Sequence, residues 1–148
     1  MSAPRPQSTN EDHREEVRIT LGRISAAWQD RRYQELAILF DEHIIMVLPG
    51  LSARIEGRAA VVESYVEFME HAAVGEYFED APAIDVWGDT AIASYRWEMT
   101  WVSGGISESA AGYDVFTFSR RTDGDQAWRA VWRTMALDVT HGDEAPGA

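Results

Sequence analysis

At 148 residues the chain is the size of one domain, able to bury roughly two-thirds of the surface its unfolded form exposes. Its 45% hydrophobic residues, with six Trp, five Tyr and five Phe, supply a core, and 25 acids against 13 Lys and Arg leave a formal charge of −12. That charge, with no basic cluster, excludes nucleic acid and anionic membranes as expected partners. The absence of cysteine excludes disulfides, thiolate nucleophiles and Cys-based zinc sites, as expected of a cytoplasmic protein.

Residues 1–10 contain Pro4, Pro6 and polar residues but no apolar run, so we expect a disordered segment rather than a signal peptide or membrane span. One domain is expected over 11–140, followed by a flexible tail at 141–148. Ser8 and Glu11 suit a capping box. Val17, Leu21, Ile24 and Trp28 then recur at helical spacing through about residue 31. A shorter helix follows from Tyr33 through Leu36 and Ala37 to Phe40. Ile44, Ile45 and Val47 switch the pattern to strand, which Pro49 and Gly50 end. Gly57 opens a third helix, with Val62, Tyr65, Val66 and Met69 on one face, and Ala73 and Gly75 close it.

The remainder reads as strand: about Tyr77 to Trp87, a Gly88-Asp89 turn, Ala91 to Val102, and a Gly104-Gly105 turn. Ser107 to Arg121 and Trp128 to Val139 follow, joined at Asp123-Gly124-Asp125. Helices first and a meander second predict an α+β fold, its three N-terminal helices covering one face of a curved antiparallel sheet.

In the strand from Ala91, Tyr95, Trp97, Met99 and Trp101 fall on one side, and Ser94, Arg96, Glu98 and Thr100 on the other. On the next strand, Asp114 lies in line with Phe116 and Phe118. The aromatic stripe suits either a pocket wall or a filled core. Asp114 suits either chemistry or a buried acid tied to a backbone N–H, an Arg or a neighbouring Tyr hydroxyl. His13, His43, His71 and His141 lack ligand spacing and read as surface residues; no metal site and no phosphate loop is expected.

Trp28-Gln29-Asp30, Leu39-Phe40, the Pro49-Gly50 break, Gly57-Arg58-Ala59 and the Trp87-Gly88-Asp89 turn, in this order of elements, are shared with a known group. Together with Asp114-Val115-Phe116 and Trp128-Arg129-Ala130-Val131-Trp132-Arg133, they resemble the SnoaL-like branch of the nuclear transport factor 2-like superfamily over about residues 11–139. The resemblance implies a cone-shaped, strongly bent sheet. It spans isomerases, polyketide cyclases, dehydratases, epoxide hydrolases and proteins that only bind or dimerise. Ketosteroid isomerases pair a strand base with an oxyanion hole of a helix Tyr and a protonated Asp. The resemblance places Leu48 at the base position, Ile24 at the Tyr position and Asp114 at the Asp position. Two of three positions are thus apolar.

The same resemblance implies that Trp97, Met99, Trp101, Phe116, Trp132 and Thr134 face the pocket. Arg96, Glu98, Arg129, Arg133, Val115, Val131 and Met135 would then lie outside, on a face suited to homodimerisation or to solvent. Asp114 among aromatic walls favours its protonated form and a role as acid or hydrogen-bond donor. The expected binding set is Ile24, Trp28, Leu48, Tyr65, Tyr95, Trp97, Met99, Trp101, Phe116, Trp132 and Thr134, for a small, largely apolar molecule in an enclosed pocket. No cofactor is expected. The two readings are a cofactor-free isomerase or cyclase using Asp114, and a non-catalytic binding or dimerisation scaffold.

Overall fold

A computed structural model describes residues 9–138; Ser8, the expected N-terminal segment before it and the expected tail lie outside the described residues. Helix α1 spans Asn10–Gln29. Its capping box falls one residue later than expected: Thr9 Oγ1 accepts the Asp12 N–H and Asp12 accepts the Thr9 N–H, each at 3.1 Å. Val17, Leu21, Ile24 and Ala27 form its buried stripe. After α2 (Tyr33–Leu39) the chain enters β1 (Phe40–Val47), a single 3-10 turn at Pro49–Leu51, and the short strand β2 (Arg54–Glu56), which the sequence pattern did not predict. Gly57, at φ 96°, turns the chain into α3 (Arg58–His71), a backbone conformation open to glycine at little cost. The buried face of α3 is Val61, Tyr65 and Met69; Tyr65 and Met69 belong to the expected stripe, and Val61 is buried while Val62 and Val66 are only partly covered. Arg31 extends from the end of α1 and donates to the Met69 carbonyl at 3.1 Å, satisfying an orphan acceptor in the last turn of α3.

The expected strand 77–87 is two strands, β3 (Ala73–Glu79) and β4 (Ala83–Trp87), parted at Asp80–Pro82. Both pair with the same edge of β5 (Thr90–Ser103), β3 along Trp97–Val102 and β4 along Thr90–Ser94. Strands β6 (Ile106–Arg120) and β7 (Trp128–Leu137) complete the order β2-β1-β7-β6-β5-β3. All described ladders are antiparallel except β1 with β7, which is parallel, so the sheet is mixed. It is bent and unclosed, with the helices on its inner face, an α+β cone as expected. Phe116 and Phe118 are fully buried and stack at 5.8 Å between ring centres. Each such side chain contributes about 1.5–3 kcal/mol of hydrophobic stabilisation. Ala91, Ala93 and Ala130, also buried, leave room for these large neighbours.

One irregularity decides the position of several charged residues. The β6–β7 ladder pairs Thr117 with Trp132 but Phe118 with Ala130, so Val131 is an extra residue in β7, a β-bulge. Trp128 and Ala130 face the core. Beyond Val131 the alternation restarts in the opposite phase, and a one-residue slip exchanges the faces of all that follows. Arg133 and Met135 therefore turn inward and line the interior. Trp132 and Thr134 share the outer side, where the Trp132 Nε1–H donates to Thr134 Oγ1 at 2.6 Å and the Arg54 guanidinium lies 5.6 Å from the Trp132 ring centre. The expected inward set Trp132 and Thr134, and the expected outward set Arg133 and Met135, are thus reversed.

Candidate functional site

A partly open cavity of about 300 Å³ lies between α1, α3 and the inner face of the sheet. Its walls are Trp28 from α1; Ser64, Tyr65 and Phe68 from α3; Met46 and Leu48 from the end of β1; Tyr77, Trp97, Met99, Asp114, Arg133 and Met135 from the sheet. This volume is at the lower end of the range for small-molecule sites, and a largely apolar wall with a few convergent polar groups is their usual composition. A second cavity lies among Glu42, Arg58, Arg121, Asp123, Asp125 and Arg129. There Asp125 and Arg129 already pair at 2.9 Å, and the lining is a solvated, mixed-charge surface.

Asp114 is 1% exposed and is surrounded by donors. Tyr95 lies directly opposite it on β5 and donates its hydroxyl to Oδ2 at 2.8 Å. The Trp97 indole N–H reaches Oδ1 at 3.1 Å. Trp97 gains that reach because its ladder partner is Gly112: a Cβ there would stand 2.9 Å from the indole and 2.3 Å from the Ala136 carbonyl oxygen. Arg133 lies opposite Phe116 and extends diagonally to place Nη2 at 2.8 Å from Asp114 Oδ2. Indole and guanidinium only donate, so Asp114 accepts from both, in place of the donor role expected from its apolar surroundings. Of the alternatives weighed for a buried acid, the Arg and the Tyr hydroxyl are both present.

Arg133 is the hub of the site. Its guanidinium lies 5.4 Å from the ring centres of both Tyr65 and Phe116, within cation–π range. Its Nη1–H donates to the Tyr65 hydroxyl oxygen. Burial opposes its charge, but Asp114, Tyr65, Tyr95 and the hydrogen bond to Asp114 together hold its pKa above the ordinary arginine value. Its Nε–H is buried without an acceptor among the described residues. Burial also raises the Tyr65 phenol, with Arg133 opposing and Asp114 reinforcing the shift. Tyr65 therefore stays neutral. Its oxygen is occupied by Arg133 and its own proton has no acceptor among the described residues.

A second polar pair borders the cavity. Tyr77 donates to Glu79 Oε2 at 2.6 Å, the same oxygen accepts from Ser25 Oγ at 3.3 Å, and Tyr77 packs edge-on to Trp28 with ring centres 5.0 Å apart. Burial raises the pKa of Glu79 against the lowering effect of these two hydroxyls. Among the described residues no three His, Asp or Glu side chains gather as a metal site requires.

Of the expected site residues, Trp28, Leu48, Tyr65, Trp97, Met99 and Asp114 meet at the cavity. Ile24 is buried in the core beneath it. Tyr95 and Phe116 stack behind the wall at 6.5 Å and support Asp114 and Arg133 from there. Trp101 is not in the cavity lining and packs edge-on to the lining residue Phe68, with ring centres 6.0 Å apart. Trp132 and Thr134 are on the outer side for the reason given above. Sequence reasoning missed Met46, Ser64, Phe68, Tyr77, Arg133 and Met135. A signal for Arg133 existed: an acid inside an apolar stripe calls for a cation, and few Arg residues fall on the neighbouring strands. His13, expected at the surface, is 7% exposed, edge-on to Trp128 at 5.6 Å and paired with Glu16 at 2.9 Å.

Comparison with known proteins agrees with this architecture. The family model for the SnoaL-like domain matches residues 11–135. No curated protein matches the chain. A ketosteroid isomerase-like protein from Erwinia carotovora atroseptica superposes with a TM-score of 0.75 at 12% identity, over 86% of this chain and 97% of that one. A nuclear transport factor 2-like superfamily protein from Salmonella enterica serovar Typhimurium gives 0.74 at 18% identity, over 87% and 93%. A nuclear transport factor 2-like protein with a cystatin-like fold from Novosphingobium aromaticivorans gives 0.64 at 25% identity, over 91% and 85%. These likenesses establish the architecture, and the family match over most of the chain establishes descent: the chain belongs to the SnoaL-like domain family.

Proposed function

We propose that the cavity binds a small, largely apolar molecule through one carbonyl-type oxygen, and that the chain acts on it as a cofactor-free enzyme of the isomerase, cyclase or dehydratase kind. The observation behind this reading is Tyr65, a cavity-wall phenol whose oxygen takes a hydrogen bond from a partly buried arginine while its proton has no acceptor among the described residues. A phenol that accepts from a cation becomes a stronger donor. Such a donor stabilises negative charge developing on a ligand oxygen. Asp114 serves this site by holding Arg133 in place. Because Asp114 and Arg133 balance each other's charge, the reading favours a neutral ligand.

The test compares 1-tetralone with its hydrocarbon analogue tetralin, following quenching of Trp28 and Trp97. We expect the ketone to bind at least tenfold more tightly, and Tyr65→Phe to remove that preference, as one hydrogen bond of about 1.5 kcal/mol would. Equal binding of ketone and hydrocarbon by the unmodified chain would falsify the reading. Leu48→Trp, which fills the cavity, should abolish binding of both.

A second reading, binding without chemistry, draws support from two observations. Leu48 stands on the cavity wall where the resemblance to isomerases calls for a base, and Asp114 is fully engaged by donors. Mass spectrometry of small molecules released from the purified protein separates the readings: a molecule chemically altered on incubation contradicts binding alone.

A further inference from the structure

Tyr77 and Glu79 do not bond Arg133, yet they bring a carboxylate to the edge of the same cavity. They are two apart on β3, so their side chains share a face. The β3–β5 register shifts between Val74 and Tyr77, after which Tyr77 pairs with Met99, itself a cavity residue. Tyr77 is on the wall, and Glu79 stands behind it as acceptor of its hydroxyl at 2.6 Å. Among the described residues no Lys, Arg or His lies within ion-pair distance of Glu79; its recorded hydrogen-bond partners are the hydroxyls of Tyr77 and Ser25. A half-buried carboxylate without a paired cation, linked by one short hydrogen bond to a group that faces a cavity, is arranged to receive a proton rather than to stabilise the fold.

We infer that Tyr77, backed by Glu79, is the proton-accepting group of this site, and that the substrate is a ketone or aldehyde with a C–H bond beside its carbonyl. This rests on the reading of Tyr65 as the donor to the carbonyl oxygen. In the step, the substrate C–H proton passes to Tyr77 Oη while the Tyr77 proton passes to Glu79 Oε2. The C–H electron pair becomes the new C=C bond, and the former carbonyl π pair moves to oxygen, where it accepts from Tyr65. Tyr77 ends neutral as it began, Glu79 ends protonated, and returning the proton to the same or another carbon completes exchange or isomerisation. Burial and the hydrogen bond to Glu79 raise the Tyr77 phenol, so Tyr77 does not lose its proton unaided and needs the relay. Tyr77 is thereby the catalytic residue and Glu79 the positioning residue acting through it. The groups facing Glu79 are Ser25 of α1 and Tyr77 directly, with the charges of Asp114 and Arg133 further away and the phenols of Tyr65 and Tyr95 sensing its charge.

The test incubates the full chain with 1-tetralone in D2O and follows hydrogen exchange beside the carbonyl by NMR, with binding measured separately by Trp fluorescence. We expect exchange above the buffer rate, rising with pH as Glu79 ionises. Tyr77→Phe and Glu79→Gln should each slow it at least a hundredfold at saturating ketone, the size of one general-base contribution. Glu79→Gln should also flatten the pH profile, and Glu79→Asp should restore part of the rate. Binding without exchange by the unmodified chain overturns this inference and leaves the ketone site standing. Exchange at the unmodified rate in either Tyr77→Phe or Glu79→Gln also overturns it. Failure of the unmodified chain to bind the ketone removes the site reading and this inference with it.

Discussion

Replacing Arg133 with methionine is the sharpest perturbation of the site, because it removes charge while keeping much of the side-chain length. Asp114, 1% exposed, would keep the Tyr95 and Trp97 donors at 2.8 and 3.1 Å but lose the cation at 2.8 Å. Breaking a buried ion pair from one side costs about 3–5 kcal/mol, mostly through the stranded charge. Against a typical total stability of about 5–15 kcal/mol the variant should still fold, with a melting temperature lower by about 10–20 °C at roughly 3–4 °C per kcal/mol. Adding Asp114→Asn to Arg133→Met removes the stranded charge and should recover at least half of the loss. Asp114→Asn alone should cost less than Arg133→Met, since the Arg133 side chain is 15% exposed and borders the cavity, where water reaches it. Urea unfolding at pH 7, followed by tryptophan fluorescence, measures all three variants. A double variant no more stable than Arg133→Met would refute the reasoning, because the loss would then lie in packing and not in an uncompensated carboxylate.

Other outcomes follow from local geometry and charge. Gly112→Ala should destabilise by about 1–3 kcal/mol in thermal denaturation and shift the tryptophan emission, since its Cβ would meet the Ala136 carbonyl at 2.3 Å and Trp97 at 2.9 Å. The two glutamates should give opposite pH slopes. The His13 hydrogen bond, aided by Trp128 and opposed by burial, lowers the Glu16 pKa, so its stabilisation is present above the ordinary Glu value and lost as pH falls through the lowered one. Glu16→Gln should therefore converge with the unmodified chain on acidification. Burial raises Glu79, so stability falls as pH rises from the ordinary Glu value through the raised one, and Glu79→Gln should gain on the unmodified chain over that rise; parallel curves would contradict either assignment. Homodimerisation through the outer sheet face, now bearing Trp132, should be abolished by Trp132→Asp in light scattering, whereas a monomeric unmodified chain would rule it out.

The α+β cone was legible because helical stripes, Gly and Pro breaks and strict alternation from Tyr95 to Met99 are local signals. Asp114 was legible too, as an acid in an apolar row. Arg133 was not, because the alternation that assigns faces assumes a regular ladder, and Val131 interrupts it. Tyr77 and Glu79 escaped notice for a related reason: the segment from Tyr77 to Trp87 reads as one strand, whereas the break at Asp80–Pro82 makes Glu79 a strand terminus beside α1. Trp101 matched the stripe in phase, but phase does not say where along a strand the cavity ends, and Trp101 packs on Phe68 of α3 outside the lining.

The extra residue at Val131 also bears on how relatives should be compared with this chain. Residue type alone does not identify the equivalent of Arg133; the number of residues between the buried aromatic at Trp128 and the cation does. In a relative with a regular strand of the same length, that arginine would project from the outer sheet, and the neighbouring Trp132 or Thr134 position would fill the interior. Two proteins with nearly the same motif would then differ in whether their cavity holds a charge, and an alignment that ignored the bulge would assign them the same ligand.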